Sequence, residues 1–163
     1  MEAWHPFRIL PALDDSNRIF WTSGETGALA ILRCRACGFW IHPPSPICPS
    51  CLGRDLTPQP VSGRGTLISF TVNHQPWIPG FDPPYVIALV ELDEQPGLRI
   101  TSNLVGCAIE KVEIGLPVEV LFDEYDGIWI PLFQPTADAF EPDTEEGGDA
   151  ASAVTDASGE GAP

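Results

Sequence analysis

Apolar and polar residues alternate over short stretches through the middle of the chain. Five such stretches are rich in β-branched and aromatic residues and are bounded by glycine or proline, which is the pattern of half-buried β-strands. They span residues 65–74, 85–92, 98–105, 117–125 and 127–133. The Asp126-Gly127 pair predicts a tight turn between the last two stretches. Because five short strands in about 75 residues suit a small closed barrel, we predict a five-stranded OB-fold over residues 61–135.

The first 27 residues predict an extended arm followed by a short helix. Residues 1–13 are apolar and bracketed by prolines, a composition that disfavours a regular helix. The Asp-Asp-Ser sequence at 14–16 then offers N-cap side chains, and its acidic groups stabilise the positive end of a helix. Gly24 and Gly27 predict the end of this helix near residue 23.

Four of the five cysteines form two pairs with the spacing of a zinc ribbon. The pairs are Cys34-x2-Cys37 and Cys48-x2-Cys51, with ten residues between them. Two residues between cysteines let both thiolates reach one ion, and two such pairs complete a tetrahedron. Because four thiolates fill the coordination shell, we predict one structural Zn²⁺ with no open position for catalysis.

Redox chemistry is the alternative use of these cysteines. Cys48-Pro49-Ser50-Cys51 is similar to a dithiol motif, but that chemistry requires a βαβ unit and a helix that begins at the first cysteine. The sequence predicts neither, and a redox role leaves the other cysteine pair without a function. We therefore assign residues 28–60, including an apolar strand at 28–33, to a zinc ribbon.

Acidic residues far outnumber basic ones. The chain has 23 acidic and 8 basic residues, which gives a net charge of −15 at pH 7. Eight of the acidic residues lie at or after Asp138, so residues 1–137 keep 15 acidic and 8 basic residues. Such a surface repels a phosphate backbone, which argues against nucleic acid as the partner. A single-stranded nucleic-acid-binding OB module stays an alternative on fold grounds alone.

The C-terminal residues 136–163 have few large apolar side chains. They are mostly alanine, serine, glycine, threonine and acidic residues, so we predict a disordered acidic tail. The chain has no run of about 18 apolar residues that could cross a membrane. Its N-terminus lacks the basic and apolar regions of a signal peptide, so we expect a cytoplasmic protein.

The barrel sequence contains no catalytic set that we can defend. Its one cysteine outside the ribbon, Cys107, has no histidine near it in the sequence, and a nucleophilic cysteine needs a base. A small buried side chain is the favoured interpretation of Cys107. A free-standing acyl-CoA thioesterase or acyltransferase that uses Cys107 stays an alternative.

The connection between the first two barrel strands is rich in apolar residues. Residues 76–85 contain three aromatic residues and four prolines, whereas solvated loops are usually polar. Such a loop at a barrel mouth favours contact with a partner or ligand, and the alternative is a loop packed on its own core. The residues that we expect to contact acyl-CoA or a partner are His74, Trp77, Pro79, Gly80, Phe81, Tyr85, Arg64 and Arg99.

The order of these motifs resembles the acyl-CoA-associated proteins that join a rubredoxin-like zinc ribbon to an OB-fold. The resemblance covers about residues 14–135. The matching motifs are Phe20-Trp21, Leu32-Arg33-Cys34-x-x-Cys37-Gly38, Pro43-Pro44, Cys48-Pro49-x-Cys51, Gly65-Thr66-Leu67-x-Ser69-Phe70-Thr71, Pro79-Gly80-Phe81, Pro83-Pro84-Tyr85-x-Ile87-Ala88-Leu89-Val90-Glu91-Leu92 and Gly115-x-Pro117-Val118-Glu119-Val120.

This resemblance implies a non-catalytic subunit of a thiolase-fold acyl-CoA enzyme, which is a thiolase, an acyltransferase or a steroid side-chain aldolase. The partner would supply the nucleophile, and the small subunit would stabilise the complex and help to form the acyl-CoA site. The barrel offers only Arg64, Arg99 and Lys111 as cations for the phosphates of CoA. We therefore expect a site shared with the partner rather than strong CoA binding by this chain alone.

Overall fold

The computed structural model describes residues 8–77 and 82–140. Its helical elements are α1 (Arg18–Thr22) and two short 3-10 helices, Ser23–Thr26 and Ile109–Lys111. The strands are β1 (Ala30–Cys34), β2 (Trp40–Ile41), β3 (Leu56–Pro60), β4 (Arg64–Asn73), β5 (Tyr85–Leu92), β6 (Arg99–Leu104), β7 (Pro117–Tyr125) and β8 (Ile128–Pro135). The predicted fold class is confirmed, because a short helix and a three-stranded sheet precede a closed five-stranded barrel. Most of the predicted arm (1–7) and of the predicted tail (141–163) lies outside the described residues.

The barrel strands follow the order β4-β5-β6-β8-β7, and β7 returns to pair with β4. All neighbours are antiparallel except β6 and β8, which meet in parallel at Leu104 and Phe133. Buried and half-buried residues alternate strictly along β5, as a barrel wall requires. All five predicted strands are present, and their ends differ from the prediction by at most two residues.

One apolar cluster fills the barrel and continues into the ribbon. Phe133 and Leu67 are fully buried in the barrel, and Leu29, Ile31 and Trp40 from the ribbon belong to the same cluster. The ribbon sheet has the order β2-β1-β3 with antiparallel pairing throughout. Because the two modules bury apolar surface against each other, each contributes to the stability of the other.

Gln95, in the turn between β5 and β6, also joins the barrel to the ribbon. Its Nε2 donates to the carbonyl oxygen of Trp40 at 3.2 Å, and its Oε1 accepts from the backbone N–H of Trp40 at 2.9 Å. The side-chain amide therefore pairs with Trp40 of β2 as a neighbouring strand would. The guanidinium carbon of Arg33 lies 4.8 Å from the centroid of the Trp40 ring, a cation–π contact that also holds this residue in place.

The N-terminal segment is tied to the barrel and leads into α1. Arg8 Nη1 donates to Oδ1 of Asn103 at 3.2 Å. Asp14 Oδ1 accepts the backbone N–H bonds of Ser16 at 2.8 Å and of Asn17 at 3.0 Å, so its carboxylate supports the turn that begins the helix. The hydrogen bond from the Ser16 hydroxyl, followed by those two N–H bonds, lowers the pKa of Asp14.

The helical segment packs directly on the barrel wall at Gly24. A Cβ atom at this position would lie 2.5 Å from Cβ of Trp129 and 2.6 Å from Cδ1 of Phe122, so only glycine fits. Gly27 ends the segment in the left-handed conformation, with φ at +73°.

The chain continues along the barrel after β8. The backbone N–H of Thr136 donates to the carbonyl oxygen of Pro117 at 3.0 Å, and Thr136 is only 5% exposed. Ala139 packs against the barrel cluster, and Lys111 Nζ lies 5.1 Å from the centroid of the Phe140 ring. Residues 136–140 of the predicted tail thus lie against the barrel. Within the described ranges, no helix is long and apolar enough to cross a membrane.

Candidate zinc centre and barrel groove

The two cysteine pairs form turns with the same backbone bonds. The N–H of Gly38 donates to the carbonyl oxygen of Cys34 at 2.8 Å, and the N–H of Leu52 donates to that of Cys48 at 2.9 Å. Gly38 and Leu52 both adopt positive φ, at +79° and +60°. The two cysteine pairs therefore adopt the same turn, and this turn directs their sulfur atoms toward one common site.

The geometry of the four sulfur atoms fits one zinc ion. All four lie within 4.8 Å of one another. The Sγ atoms of Cys34 and Cys51 are 3.6 Å apart, as are those of Cys37 and Cys48. Thiolates on a tetrahedral Zn²⁺ with bonds of about 2.3 Å lie about 3.8 Å apart, so the site fits the metal with little rearrangement. The prediction of one zinc held by four cysteines is confirmed.

Backbone N–H groups donate to two of the sulfur atoms, from Cys37 and Ala36 to that of Cys34 and from Gly53 to that of Cys51. The N–H of Cys37 donates to the Cys34 sulfur, which lowers the pKa of this thiol to about 7. Gly53 follows the second pair, and a Cβ atom there would lie 3.2 Å from Sγ of Cys51. Because four thiolates close the shell, the role of this zinc is to hold the ribbon together.

The residues expected to contact acyl-CoA or a partner are spread over the barrel. His74 and Trp77 lie just after β4 and are both exposed, Trp77 by 73%. The indole Nε1 of Trp77 donates to Oδ1 of Asn73 at 2.7 Å, which orients the exposed ring. Three residues of the expected set lie outside the described residues: Pro79, Gly80 and Phe81.

A groove of about 940 Å³ crosses the outer face of β5, β6 and β8. The lining also includes residues 8–11 of the arm, the aromatic pair of α1, Phe20-Trp21, and residues 42–44 of the ribbon. Among the described members of the expected contact set, Tyr85 and Arg99 line this groove and Arg64 does not.

The groove differs in charge from the rest of this acidic chain. Its 19 lining residues include Arg8 and Arg99 and no aspartate or glutamate, although acids make up 23 of the 163 residues. His42 in the wall packs on Phe20 with the ring centroids 4.9 Å apart. Burial lowers the pKa of His42, so its imidazole is neutral at pH 7. The lining is therefore mostly apolar, and its arginines are its only charged side chains.

Arg99 is held at one end of the groove by Glu91. Its Nε donates to Oε2 of Glu91 at 3.0 Å, and the backbone N–H of Gly97 donates to the same oxygen at 3.0 Å. The Arg99 guanidinium, followed by the Gly97 N–H, lowers the pKa of Glu91, so this anchor is ionised at neutral pH. The guanidinium is thereby positioned before any ligand arrives.

Cys107 is half-buried and packs against the barrel cluster. Burial raises the pKa of its thiol, and the nearby charge of Lys111 offsets this only in part. The thiol is therefore protonated at neutral pH, which is unfavourable for a nucleophile.

Comparison with known proteins matches both modules of the chain. Residues 21–57 match the family model for the ChsH2 rubredoxin-like zinc ribbon domain, and residues 58–123 match that for the ChsH2 C-terminal OB-fold domain. A solved chain of the Ltp2-ChsH2(DUF35) aldolase is 40% identical, with a TM-score of 0.70, and the match covers 77% of this chain and 98% of that one. The chain belongs to the ChsH2 (DUF35) family.

Two curated proteins are also similar to this chain. The "Probable enoyl-CoA hydratase alpha subunit" of Thermomonospora curvata is 41% identical over 126 residues, which are 77% of this chain and 39% of that protein. The chain therefore spans about two fifths of the length of this hydratase subunit. The benzoylsuccinyl-CoA thiolase subunit BbsA of Thauera aromatica is 34% identical over 108 residues, or 64% of this chain and 73% of the subunit.

Sequence reasoning missed the groove because its parts are distant along the chain. The Phe20-Trp21 and Pro43-Pro44 motifs were visible, but no local pattern indicated that they face the same strands of the barrel. His42 is likewise part of the groove wall, whereas its position beside prolines gave no sign of a packed ring. The one available signal was the clustering of aromatic and proline residues near the ribbon.

Proposed function

We propose that this chain is a non-catalytic subunit of a thiolase-fold acyl-CoA enzyme in the cytoplasm. The partner is a thiolase, an acyltransferase or a steroid side-chain aldolase, and this subunit stabilises the complex and helps to form its acyl-CoA site. The observation that carries the proposal is the 40% identity to a chain of the Ltp2-ChsH2(DUF35) aldolase, because the match covers 98% of that chain. The match to a benzoylsuccinyl-CoA thiolase subunit supports the same class of partner.

The exposed Trp77 supports a protein partner at the barrel mouth. An indole that is 73% exposed leaves a large apolar surface in water, and tryptophan is enriched among the residues that dominate interface energies. Its hydrogen bond to Asn73 fixes the ring, so little conformational freedom is lost when a partner covers it. Trp77 is therefore the anchor that we expect to contribute most at the interface.

The protonated state of Cys107 supports a nucleophile supplied by the partner. A cysteine whose pKa is raised by burial is a poor nucleophile at neutral pH, and a half-buried position restricts access by a thioester. The thioesterase alternative predicts that the isolated chain hydrolyses acyl-CoA and that Cys107→Ala abolishes this activity. We expect no acyl-CoA hydrolysis by the isolated chain.

Co-purification tests the proposal directly. A tagged chain expressed in its own host should retain a thiolase-like protein, identified by mass spectrometry. Trp77→Ala should weaken that association by about 30-fold, as expected for an aromatic interface anchor. Ile114→Ala is the matched control, because Ile114 is 69% exposed in a different turn, and it should bind as the wild type does. Recovery of the tagged chain with no thiolase-like protein, or equal losses in both variants, would contradict the proposal.

A further inference from the structure

The groove lies on the barrel face that OB-folds commonly use for ligands. It runs over the outer side of β5 and β6, the second and third strands of the barrel, where oligonucleotide and oligosaccharide ligands bind in other OB-folds. In the register of β5 and β6, Arg99 lies opposite Glu91 and Asn103 lies opposite Ile87. Arg99 and Asn103 therefore mark the two ends of one stretch of β6. They are four residue steps apart along the strand, which gives a groove floor of about 13 Å.

The two ends of this floor carry different charge. At the Asn103 end, Arg8 is already engaged, since it donates to Asn103 and also interacts with the hydroxyl of Tyr125. At the other end, Arg99 uses only its Nε for Glu91, and within the described ranges its terminal nitrogens make no bond to the chain. Those terminal N–H groups are the donors that a carboxylate accepts in a paired geometry.

Apolar side chains make up most of the groove lining. Ile87 and Ile130 contribute to its floor, and Phe20 and Pro43 contribute to its walls. A volume of about 940 Å³ lies within the range of small-molecule sites, which are mostly apolar with a few polar groups that fix orientation. Because none of the lining residues is acidic, an anion meets less repulsion here than elsewhere on this chain, and the nearby Glu91 carboxylate is paired with Arg99.

We infer that this groove binds a medium-chain fatty carboxylate, with the carboxylate on Arg99 and the alkyl chain against the apolar side chains of the groove lining. The charge complementarity selects an anion, and the single available cation at one end selects a ligand with one anionic head. The residues that would hold the ligand all belong to this chain, so the inference goes beyond the proposed function and does not require a partner enzyme.

Titration of the full-length zinc-bound chain with decanoate, followed by amide NMR shifts, tests the inference. Shifts should saturate below the micelle concentration and cluster at groove residues, among them Ile87, Thr101 and the Trp21 indole. Between hexanoate and decanoate, affinity should rise about fourfold for each added methylene, because each is buried against apolar side chains. Decanol, which has the chain without the charge, should bind at least tenfold more weakly.

Substitution of Arg99 tests the position of the head group. Arg99→Gln should weaken decanoate binding about tenfold and leave decanol binding unchanged. Arg54→Gln is the matched control, because Arg54 is an exposed arginine of the ribbon that does not line the groove. Binding of decanoate in this control should equal that of the wild type.

Several results would overturn the inference. One is equal affinity for decanoate and decanol, and another is an equal effect of the two arginine substitutions. Binding of decanoyl-CoA without binding of decanoate would assign the groove to the thioester. If decanoate leaves the groove amides unchanged and the co-purified enzyme subunit broadens them, the groove is a protein-docking surface. The decanoate, decanol and decanoyl-CoA results do not depend on whether the chain retains a thiolase-like partner, so the two proposals can fail separately.

Discussion

Replacement of Gln95 by alanine tests whether a single side chain holds the ribbon against the barrel. Gln95 makes two hydrogen bonds to the backbone of Trp40, at 2.9 and 3.2 Å, in a part-buried setting. The truncation removes both bonds and leaves the N–H and carbonyl groups of Trp40 without their partner. Trp40 itself is only 9% exposed, so water reaches these groups poorly.

The expected loss follows from these bonds. Each contributes about 1 kcal/mol net, and a part-buried polar group that loses its partner adds a desolvation penalty, so the free energy of unfolding should fall by about 2–3 kcal/mol. Gln95→Glu should cost at least as much at pH 7. The carboxylate still accepts from the Trp40 N–H, but its second oxygen then faces the Trp40 carbonyl oxygen instead of donating to it.

Urea unfolding, followed by tryptophan fluorescence, measures this loss. With a slope of about 2 kcal/mol per M, the midpoint should move down by about 1 M. Gln75→Ala is the control, because Gln75 is exposed and should change the stability by less than about 0.5 kcal/mol. A midpoint shift in Gln95→Ala as small as that of the control would refute the reasoning. It would mean that water replaces the side chain and that the packing of Trp40 alone holds the ribbon.

Three further predictions follow from the zinc centre, the α1 contact and the groove wall. The wild type should bind one zinc per chain by metal analysis, Cys37→Ser should lose the metal and the ordered ribbon, and Cys107→Ser should keep both. Gly24→Ala should lower the unfolding free energy by about 3 kcal/mol through overpacking, whereas Gly27→Ala, with open space around it, should cost about 1 kcal/mol from its positive φ alone. Burial lowers the pKa of His42 below 6.5, so its contribution to stability is present above pH 6.5 and lost as the pH falls below it. His42→Phe should therefore lose less stability than the wild type between pH 7 and 5.5 in thermal melts, and parallel curves for the two proteins would contradict this.

The features that sequence reasoning predicted correctly are local ones. The zinc site depends on two short cysteine pairs, and the strands depend on a period of two, so a window of about ten residues contains the information. The Asp126-Gly127 turn is equally local, and both residues adopt the positive φ that such a turn requires. These patterns predict element type and metal ligands without knowledge of tertiary contacts.

The features that could not be predicted from the sequence depend on contacts between distant residues. Gln95 and Trp40 are 55 positions apart, and neither has a neighbour in the sequence that indicates the other. The barrel groove needs the arm, α1 and the ribbon loop to meet over β5 and β6, an arrangement fixed by packing at Gly24 and at Trp40. Similarly, the sequence predicts Thr136 as the start of a polar tail. Its backbone N–H instead donates to the carbonyl oxygen of Pro117, which extends the pairing of β8 with β7 by one residue.

The shared core implies that zinc stabilises the barrel as well as the ribbon. Leu29, Ile31 and Trp40 belong to the barrel cluster, yet β1 and β2 are held together by the turn beneath the metal. Removal of zinc by a chelator should release this packing and lower the opening free energy of barrel amides by about 3 kcal/mol, within the range for loss of a buried tryptophan. The amide of Leu67, which bonds to the carbonyl of Leu116 at 2.9 Å, should then exchange more than 100-fold faster, because about 1.4 kcal/mol corresponds to a factor of ten. Rapid exchange in the ribbon with unchanged exchange at Leu67 would show instead that the two modules are stable independently.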